Sequence, residues 1–464
     1  MADPQIKFGT DGWRSRMDRD FTVTNLSRVA KAAANYVNGA GLGDRGILIG
    51  HDTRNNSRLF AETAARVVSA SGIKAYLVDK ATPTPTIAFG VLELNAAAGI
   101  QITASHNPAI YNGFKFIPYY GGPAFPEITA ELERLIHVET ERSGTEEIDT
   151  GRIEPINLKA KYLDFIKRNL DLKKVAGLDV VVDPLFGAGI RYLSELLKAN
   201  GAKTKELHAS PDPNFGGLSP DPIKENLKEL SKSVTESGAD LGIANDGDAD
   251  RIAAVDDKGK FYSAIELSVL IADYLVGVKK KKGYIVKSVC STHALDRIAA
   301  KYGIKIVETP VGFKYHAMEL MNGAVFAGEG LGGLGYGWGA PEKDGIMSGA
   351  VLAELVGYYK EPLSEIWKRL SKQYGFGGYL TANYEVTEES KAKVKGYASN
   401  PPKEINGKRV VKTISLDGVK FLLDDGSWIL MRPSGTEPLL RIYAEAATKK
   451  EAEMLAKAAV KLVI

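Results

Sequence analysis

The sequence predicts an α/β fold with three similar α/β domains, whose sheets are mixed but mostly parallel, followed by a smaller α+β domain. The main observation is a repeat, in which an apolar strand, a helix that stops near a glycine, a second strand, a second helix and a third strand recur three times. The repeat has a period on the order of 100 residues. A chain of 464 residues, 44% of them hydrophobic, is long enough for three or four domains of ~100–150 residues each.

Each copy of the repeat delivers its third strand into an unusual loop. The first strands are 46–50, 178–182 and 284–286, and the second strands start near 73, 201 and 303. The third strands are 96–102, 241–245 and 324–327, and their loops carry Ser105, Asp246 and Glu329. Strands that alternate with glycine-capped helices imply parallel pairing. Because open α/β sheets bind ligands at the carboxyl ends of their strands, we expect a ligand site there.

The tail from about residue 371 breaks the repeat. Its pattern predicts strands at 379–386, 409–415, 419–423 and 428–431, and helices near 387–397 and 449–462, which together indicate an α+β domain. The polar segment 138–156 is interpreted as the first linker. The predicted domains are 1–150, 151–256, 257–370 and 371–464.

Composition excludes several classes of protein. The formal charge of +3 is small and evenly spread, which argues against a nucleic-acid or membrane surface, and the run Lys279–Lys282 is interpreted as a solvated turn. The single cysteine, Cys290, excludes an internal disulfide. The first residues show no basic segment followed by an apolar one, and no window reaches the ~18 apolar residues of a membrane helix. We therefore expect a cytoplasmic protein.

The most informative motif is Thr-Ala-Ser-His-Asn-Pro at 103–108. A buried strand that ends in a sharp, proline-terminated turn holds Ser105 rigidly at the edge of the sheet, as a nucleophile requires. The alternative is an ordinary Ser-Asn-Pro turn.

The second loop places carboxylates at every second position, in Asp246, Asp248 and Asp250, and ends with Arg251. Three hard oxygen donors within a few residues suit Mg²⁺, whereas a calcium-binding EF-hand would need further ligands and a distal glutamate. The alternative is a solvated acidic turn.

The third loop, 328–339, is rich in glycine. It begins with a G-x-G-x-x-G match, but a dinucleotide fold would start a helix at the third glycine, where this loop continues with more glycines. We predict that Glu329 accepts hydrogen bonds from ligand hydroxyls. Tyr336 and Trp338 could add a face for a sugar ring, or could equally be buried structural aromatics.

The tail contains one notable loop, Arg-Pro-Ser-Gly-Thr-Glu-Pro at 432–438. A guanidinium from Arg432, hydroxyls from Ser434 and Thr436, and backbone N–H groups exposed by Gly435 are what a phosphate dianion needs.

These four loops, in this order along the whole chain, resemble the signature loops of the α-D-phosphohexomutase family. The segments 8–14, 52–54, 111–115 and 309–314 are also similar to family patterns. The resemblance implies three α/β domains and a smaller C-terminal domain around one central cleft. It also implies a hexose phosphate substrate and a monomer or small homo-oligomer.

The resemblance implies a mechanism as well. Ser105 would carry a phosphoryl group, exchange it with positions 1 and 6 of a hexose through a bisphosphate such as glucose 1,6-bisphosphate, and join Asp246, Asp248 and Asp250 around Mg²⁺. The other site residues that it implies are Arg14, Arg251, Lys115 and His106 for catalysis, and Thr309, Gly312, Lys314, Glu329, Arg432, Ser434, Gly435 and Thr436 for substrate binding. Lys115 and His106 are the general acid/base candidates. Lys115 is favoured because burial beside cations can lower the pKa of a lysine.

The chain departs from the family pattern in the third loop. Many members have Glu-x-Ser-Gly where this chain has Glu329-Gly330-Leu331-Gly332. The histidine that members often have in or soon after this loop is absent, and Trp338 and Gly339 occupy that stretch. We expect glucose phosphate to be used, with mannose phosphate also accepted. The alternatives are a phosphoglucosamine mutase, a non-catalytic sugar-phosphate-binding relative, and a metal-dependent phosphatase.

Overall fold

Four β-sheets, each with its own packed helices, build the computed structural model, which describes residues 6–9, 11–140, 150–330, 332–434 and 438–463. Three sheets are mixed and mostly parallel within their centres, and the fourth is antiparallel throughout. The predicted fold class is therefore confirmed.

The first sheet has six strands in the order β1-β5-β4-β2-β3-β6. Its strands are β1 (Trp13–Arg16), β2 (Ile47–His51), β3 (Ala75–Val78), β4 (Ala98–Ile102), β5 (Tyr111–Pro118) and β6 (Ile153–Ile156). Its helices are α1 (Val23–Gly39), α2 (Ser57–Ala70), α3 (Thr84–Glu93) and α4 (Pro126–Thr140). Helix α4 extends to Thr140 and strand β6 pairs in parallel with β3, so the prediction that all of 138–156 is a linker is wrong at both ends. Residues 141–149 of that segment lie outside the described residues.

The second sheet has the order β11-β10-β9-β7-β8, and the third has the order β13-β12-β14-β15. The second comprises β7 (Asp179–Asp183), β8 (Lys203–Glu206), β9 (Leu241–Asn245), β10 (Ile252–Asp256) and β11 (Phe261–Tyr262), with α5 (Lys159–Asn169), α6 (Leu193–Ala199) and α7 (Lys228–Ser237). The third comprises β12 (Tyr284–Ser288), β13 (Ile306–Thr309), β14 (Ala324–Gly328) and β15 (Leu334–Tyr336), with α8 (Ala264–Asp273), α9 (Ala294–Tyr302), α10 (Phe313–Met321), α11 (Gly345–Tyr359) and α12 (Leu363–Gln373).

The fourth sheet has the order β16-β21-β20-β19-β18-β17. It comprises β16 (Gly378–Glu385), β17 (Glu404–Ile405), β18 (Lys408–Ile414), β19 (Val419–Leu423), β20 (Trp428–Pro433) and β21 (Leu439–Ala446), with α13 (Glu388–Gly396) and α14 (Lys449–Lys461). The two predicted helices and four predicted strands are present. The sequence interpretation missed β21, which pairs with both β16 and β20 and so closes the sheet.

The first three sheets share one arrangement of four strands. In each, a first strand lies between its two parallel partners, and the third strand turns back into an antiparallel fourth strand: β2, β3, β4 and β5 correspond to β7, β8, β9 and β10 and to β12, β13, β14 and β15. The three unusual loops occupy the same place, between the third and fourth strands. The antiparallel fourth strands were not predicted, because the sequence interpretation assigned the residues after each loop to motifs.

The core is continuous across the second and third sheets, where one apolar cluster runs from Tyr162 to Tyr374 and also includes Phe89 on α3. The first and fourth sheets have separate main clusters. Among the described residues, none of the helices combines the length and the apolar composition that crossing a membrane requires.

A buried arginine holds the loop after β4 in place. The guanidinium of Arg54 pairs through Nε with the Asp52 carboxylate at 3.0 Å, and both side chains are fully buried. Its other nitrogens donate to four backbone carbonyls of the loop, those of Ser105 (2.6 Å), Asn107 (2.6 Å), Pro108 (2.8 Å) and Tyr111 (3.2 Å). Thr103 also donates its hydroxyl to Asp52, at 2.6 Å. The loop that presents Ser105 is thus fixed by one ion pair beneath it.

We predict that Arg54→Ala lowers the free energy of unfolding of the first domain by about 3–5 kcal/mol, because it leaves the Asp52 carboxylate buried without its partner. Urea unfolding, followed by a probe within the first domain, measures this. The matched control is Arg58→Ala, whose exposed pair with Glu62 is worth only about 0–1 kcal/mol. Equal effects of the two substitutions would contradict the role assigned to Arg54.

Candidate active site

A cleft of about 590 Å³ lies where the four domains meet. Its charged wall is predominantly positive, which suits an anionic ligand. The charged side chains of the wall are Lys7, Asp11, Arg14, Asp221, Arg251, Lys314, Glu329, Lys343, Arg432 and Arg441. Each of the three repeat loops contributes a residue to its wall: His106, Arg251 and Glu329.

Ser105 adjoins His106, which lines the cleft, and only 1% of the surface of Ser105 is exposed. Its backbone has φ 52°, a left-handed conformation that is strained for a residue with a side chain. Its hydroxyl donates to Oδ2 of Asp246 at 2.7 Å, and Oγ is 3.3 Å from Nδ1 of His106. The turn therefore aims a serine oxygen at the acidic loop of the next domain.

The acidic loop brings three buried carboxylates together. One oxygen from each of Asp246, Asp248 and Asp250 lies within 4.8 Å of the others. The backbone N–H of Arg251 donates to Asp246 at 3.0 Å, but Oδ1 of Asp248 and Oδ1 of Asp250 have no hydrogen-bond partner among the described residues. Buried carboxylate oxygens without donors, grouped at this spacing, fit a divalent cation with hard oxygen ligands.

Two lysines from other domains face these carboxylates. Nζ of Lys115 is 2.8 Å from both Asp248 and Asp250 and 2.9 Å from Asp11. Nζ of Lys343 is 2.8 Å from Asp250 and 3.0 Å from Asp11. The first three domains therefore meet at one cluster of ion pairs.

The charges around Lys115 contradict the expectation that neighbouring cations lower its pKa. Burial alone would lower the pKa of Lys115, but the carboxylates of Asp11, Asp248 and Asp250 outweigh burial and hold the pKa well above its usual value. The prediction overlooked these carboxylates because they come from distant parts of the sequence. Lys115 is therefore a fixed positive charge in this arrangement.

His106 has the opposite character. Burial, together with the charges of Arg251 and Arg14, lowers the pKa of its imidazole to about 2, so the ring is neutral. The guanidinium of Arg14 donates to the side chain of Asn107 at 2.9 Å, and that of Arg251 is 3.7 Å from Asp221. Two cations thus flank the serine loop on the cleft side.

The acidic loop shows uneven pKa shifts. Burial and the charges of Asp248 and Asp250 raise the pKa of Asp246 well above its usual value. Burial also opposes ionisation of Asp248, but Lys115 outweighs it and lowers the pKa of Asp248. The lysine charge is therefore concentrated on one side of the triad, away from the carboxylate that faces Ser105.

The glycine loop brings Glu329 into the cleft wall. Its backbone N–H donates to Gly333 at 2.8 Å, and burial raises the pKa of its carboxyl. A Cβ at Gly330 would lie 2.8 Å from Sγ of Cys290, so the buried cysteine requires a glycine there. Leu331, which replaces the family serine, lies outside the described residues.

Only part of the 309–314 segment reaches the cleft. Lys314 lines the wall, together with Val311 and Phe313. The buried hydroxyl of Thr309 donates to the carbonyl of Pro310, and Gly312, with φ 128°, directly precedes α10, so neither presents a side chain to the wall. In Gly312 the missing side chain permits the backbone conformation.

The two aromatic candidates of the glycine loop are structural. Tyr336 is buried and donates its hydroxyl to Ser348 at 2.8 Å. Trp338 packs against Tyr336, and Lys281 lies 4.5 Å from the centre of its ring. Neither lines the cleft, so the sugar-face interpretation is wrong.

The interpretation of Lys279–Lys282 as a solvated turn is wrong in part, because Lys281 packs on the ring of Trp338 and Lys279 pairs with the buried Glu354.

The fourth domain contributes Arg432, whose Nε pairs with Asp417 at 2.9 Å. Arg441 lies directly opposite it on the neighbouring strand β21, and both reach the cleft. The backbone N–H of Ser434 donates to Leu439 at 2.8 Å. Gly435 and Thr436 lie outside the described residues. Two arginines side by side on one hairpin repel each other, and a bound anion would relieve this repulsion.

The sequence interpretation missed Asp11, Lys343 and Arg441. Asp11 stands within the quoted segment 8–14, but nothing in the local pattern shows which carboxylate faces a lysine. Arg441 carried a usable signal, since it belongs to an alternating strand directly after the phosphate loop. Lys343 carried none.

Comparison with known proteins agrees with this architecture. The chain matches sequence models of the phosphoglucomutase/phosphomannomutase alpha/beta/alpha domains I (5–143), II (160–259) and III (266–374) and of the C-terminal domain (382–462). It is 33% identical to a protein named "Probable phosphoglucosamine mutase" from Methanothermobacter thermautotrophicus, over 97% of this chain and 95% of that protein. It is 32% identical to a "Phosphoglucomutase/phosphomannomutase" from Thermococcus kodakarensis, over 98% of each.

A solved structure gives the same result. The crystal structure of a "putative phosphomannomutase" from Thermus thermophilus superposes with a TM-score of 0.87 at 31% identity, covering 99% of each chain. The resemblance inferred from the four loops is confirmed. The chain belongs to the phosphoglucomutase/phosphomannomutase family and is an intramolecular phosphotransferase.

Proposed function

We propose that the protein interconverts the 1-phosphate and 6-phosphate of a hexose, with glucose as the hexose, through a phosphoserine at Ser105 and a bisphosphorylated sugar. The observation that carries the proposal is the contact of the Ser105 hydroxyl with the buried acidic triad, next to His106 and Arg251 in the wall of a positively charged cleft. This contact joins a nucleophile to a group of metal ligands.

Asp246, Asp248 and Asp250, together with the oxygen carried on Ser105, would hold Mg²⁺. The two carboxylate oxygens without donors support this assignment, as does the all-oxygen donor set. When bound, Mg²⁺ neutralises negative charge on the phosphoryl oxygens. Lys115, Lys343, Arg14 and Arg251 add fixed positive charge around the same point, which stabilises phosphoryl transfer electrostatically.

In the first half of the reaction, the bond between Oγ of Ser105 and phosphorus breaks, and a bond forms between phosphorus and a sugar hydroxyl oxygen. The hydroxyl loses its proton and Oγ finally gains one, so the serine returns to the state that donates to Asp246. The bisphosphate then reorients in the cleft, so that its other phosphate faces Ser105. Oγ then accepts the phosphoryl group from the other end of the sugar, and the proton moves in the reverse direction.

His106 is the better placed proton carrier of the two candidates, since its Nδ1 is 3.3 Å from Oγ of Ser105. Its low pKa has two sources, burial and the charges of Arg251 and Arg14. A phosphate dianion bound between those arginines would offset the second source and make the imidazole more basic. Lys115 serves as a positive charge.

The far end of the cleft would hold the phosphate that is not reacting. Arg432 and Arg441 lie opposite each other on adjacent strands, Lys314 lines the same cleft, and Ser434, Gly435 and Thr436 follow Arg432 in the sequence motif that would complete the phosphate site. Glu329 would accept hydrogen bonds from the sugar hydroxyls. The reaction requires that either phosphate of the sugar can face Ser105 while the other occupies this distal site.

A second candidate substrate is glucosamine phosphate. Several relatives at 33–35% identity are named probable phosphoglucosamine mutases. The Glu329 carboxylate can accept a hydrogen bond from an ammonium group as well as from a hydroxyl. The reaction and the roles of the residues are the same for this substrate.

We predict that Ser105→Ala reduces turnover by several orders of magnitude while sugar phosphate binding persists, because the binding groups lie in other domains. Wild-type protein incubated with glucose 1,6-bisphosphate should gain the mass of one phosphoryl group, and the variant should not. Ser27→Ala, which changes an exposed hydroxyl on α1, is the control. A variant that keeps a large share of wild-type turnover would rule out the phosphoserine.

Removal of one metal ligand should weaken Mg²⁺ binding. We predict that Asp248→Asn weakens Mg²⁺ binding by at least ~10–100-fold, the loss seen even for outer-shell partners of a metal. Titration calorimetry measures this without reference to activity, and the exposed Asp44→Asn is the control. Undiminished Mg²⁺ binding by Asp248→Asn would make the acidic loop structural.

Substrate preference is measured as kcat/KM with the 1-phosphates of glucose, mannose and glucosamine. We predict that glucose exceeds mannose by about 10–200-fold, because fewer polar contacts than usual discriminate the epimers. Glu329→Gln should lower all three values. A higher value for glucosamine than for glucose would favour the second candidate, and release of free phosphate in excess of isomerisation would favour a phosphatase.

A further inference from the structure

His208 lies outside the cleft wall, between two carboxylates of the second domain. Its Nδ1 is 2.8 Å from Asp183, the last residue of β7, and its Nε2 is 3.3 Å from Glu229 in the first turn of α7. Phe186 covers one face of the ring, with centroids 4.2 Å apart. A neutral imidazole can donate from only one nitrogen, so this arrangement satisfies both contacts only when the ring is protonated.

The residues that His208 holds are strained. Leu185 and Phe186, in the turn after β7, both have left-handed backbones with φ 46° and φ 59°, and His208 has φ 46°. Such conformations cost free energy and persist only where the surroundings impose them. The surroundings here include Asp183, which accepts hydrogen bonds from the N–H of Leu185 at 2.9 Å and from His208.

The same strained turn supports the acidic loop through Gly247, which stands between Asp246 and Asp248. The N–H of Ala188 donates to the carbonyl of Gly247 at 2.9 Å. A Cβ at Gly187 would lie 2.6 Å from that carbonyl oxygen, so the two backbones are in direct contact. Any shift of the turn would therefore move the acidic loop.

The segment that follows His208 supports Gly247 from the other side. The N–H of Gly247 donates to the carbonyl of Pro220 at 3.1 Å, and the hydroxyl of Ser219 donates to the backbone of His106 at 2.5 Å. A Cβ at Gly216 would lie 2.8 Å from the ring of Phe186, so the segment also packs on the turn. His208 therefore links the two segments that contact Gly247, because it begins the 208–220 segment and bonds to Asp183 beside the 185–187 turn.

We propose that His208 is a positioning residue: its protonated ring fastens the 185–187 turn to the 208–220 segment and so holds the acidic loop against Ser105. The inference rests on the proposed metal-binding role of that loop. In addition, it makes the position of the acidic loop depend on the proton of His208, which lies outside the cleft.

The direction of the pH dependence follows from the charges that face the ring. The hydrogen bond to Asp183 and the charges of Asp183 and Glu229 raise the pKa of His208 above its ordinary value, against an opposing effect of burial. Those two carboxylates are the charged groups that face the ring among the described residues. A group whose pKa is raised on folding stabilises the fold fully below its unfolded pKa, and this stabilisation is lost as the pH rises through the folded pKa.

The test compares wild-type protein with His208→Asn. Asparagine tolerates the left-handed backbone and can donate to Asp183, but it does not titrate between pH 5.5 and 9. His137→Asn, on the exposed face of α4, is the control for removing a histidine. The first measurement is the Tm of the metal-free proteins across this pH range, and the second is the Mg²⁺ affinity by calorimetry across the same range.

We expect wild type to melt above His208→Asn at pH 5.5 and the difference to vanish towards pH 9. The Mg²⁺ affinity of wild type relative to the variant should fall over the same range, by on the order of 2- to 30-fold. The His137→Asn curves should run parallel to wild type.

Two results would overturn the proposal. Parallel melting curves for wild type and His208→Asn would show that the ring does not clamp the turn through its proton. A pH-independent ratio of Mg²⁺ affinities would show that protonation of His208 does not affect the position of the acidic loop. If wild type bound no Mg²⁺ at any pH, the proposed metal-binding role would fail instead. The metal-free melting curves would then still show whether the protonated ring of His208 stabilises the turn.

Discussion

The arrangement of the domains depends on the repulsion among three buried carboxylates. Asp246, Asp248 and Asp250 lie in one short loop, with oxygens within 4.8 Å, and water does not screen them. The second domain supplies no side-chain cation that pairs with this triad at short range among the described residues, whereas Lys115 comes from the first domain and Lys343 from the third. The charge of Arg251 in the second domain offsets part of the repulsion, but the short-range ion pairs with the triad form only when the first and third domains are docked on the second.

The repeat explains why one fold can place such different groups at one point. Each of the first three sheets turns from its third parallel strand into an antiparallel fourth strand, and the loop at this turn faces the cleft. The turns are tight, and both Ser105 and Ala249 have left-handed backbones, at φ 52° and φ 57°. This strain needs rigid support, which Arg54 provides beneath the first loop and the 185–187 turn provides beneath the second. The same position in the repeat therefore carries Ser105 in one domain and the three aspartates in the next.

The sequence predicted what is local and missed what is distant. Strands, glycine caps and the three loops are visible because each is set by a few neighbouring residues, and the repeat made them mutually consistent. The partners of Lys115 come from residues 11, 248 and 250, so no pattern around position 115 could show that its pKa is raised rather than lowered. Strand β6 was interpreted as linker because the segment that leads to it is polar, and because its four residues are only half-buried or exposed at the edge of a sheet. Lys343 and Arg441 became site residues only when the cleft brought four domains together.

Leu331 removes the hydroxyl of the family pattern from the glycine loop, and packing outside the cleft constrains the neighbouring Gly330. Gly330 lies against Sγ of Cys290, and Cys290 packs in an apolar cluster with Trp428, Leu430 and Tyr443 of the fourth domain. A larger residue at 330 would press on the contact between the third and fourth domains, so the loop is constrained by packing as well as by any ligand. Polar groups for a sugar would then have to come from elsewhere on the wall. Thr381 and Asn383, both on β16, line the same cleft, which would move part of the recognition of the sugar into the fourth domain.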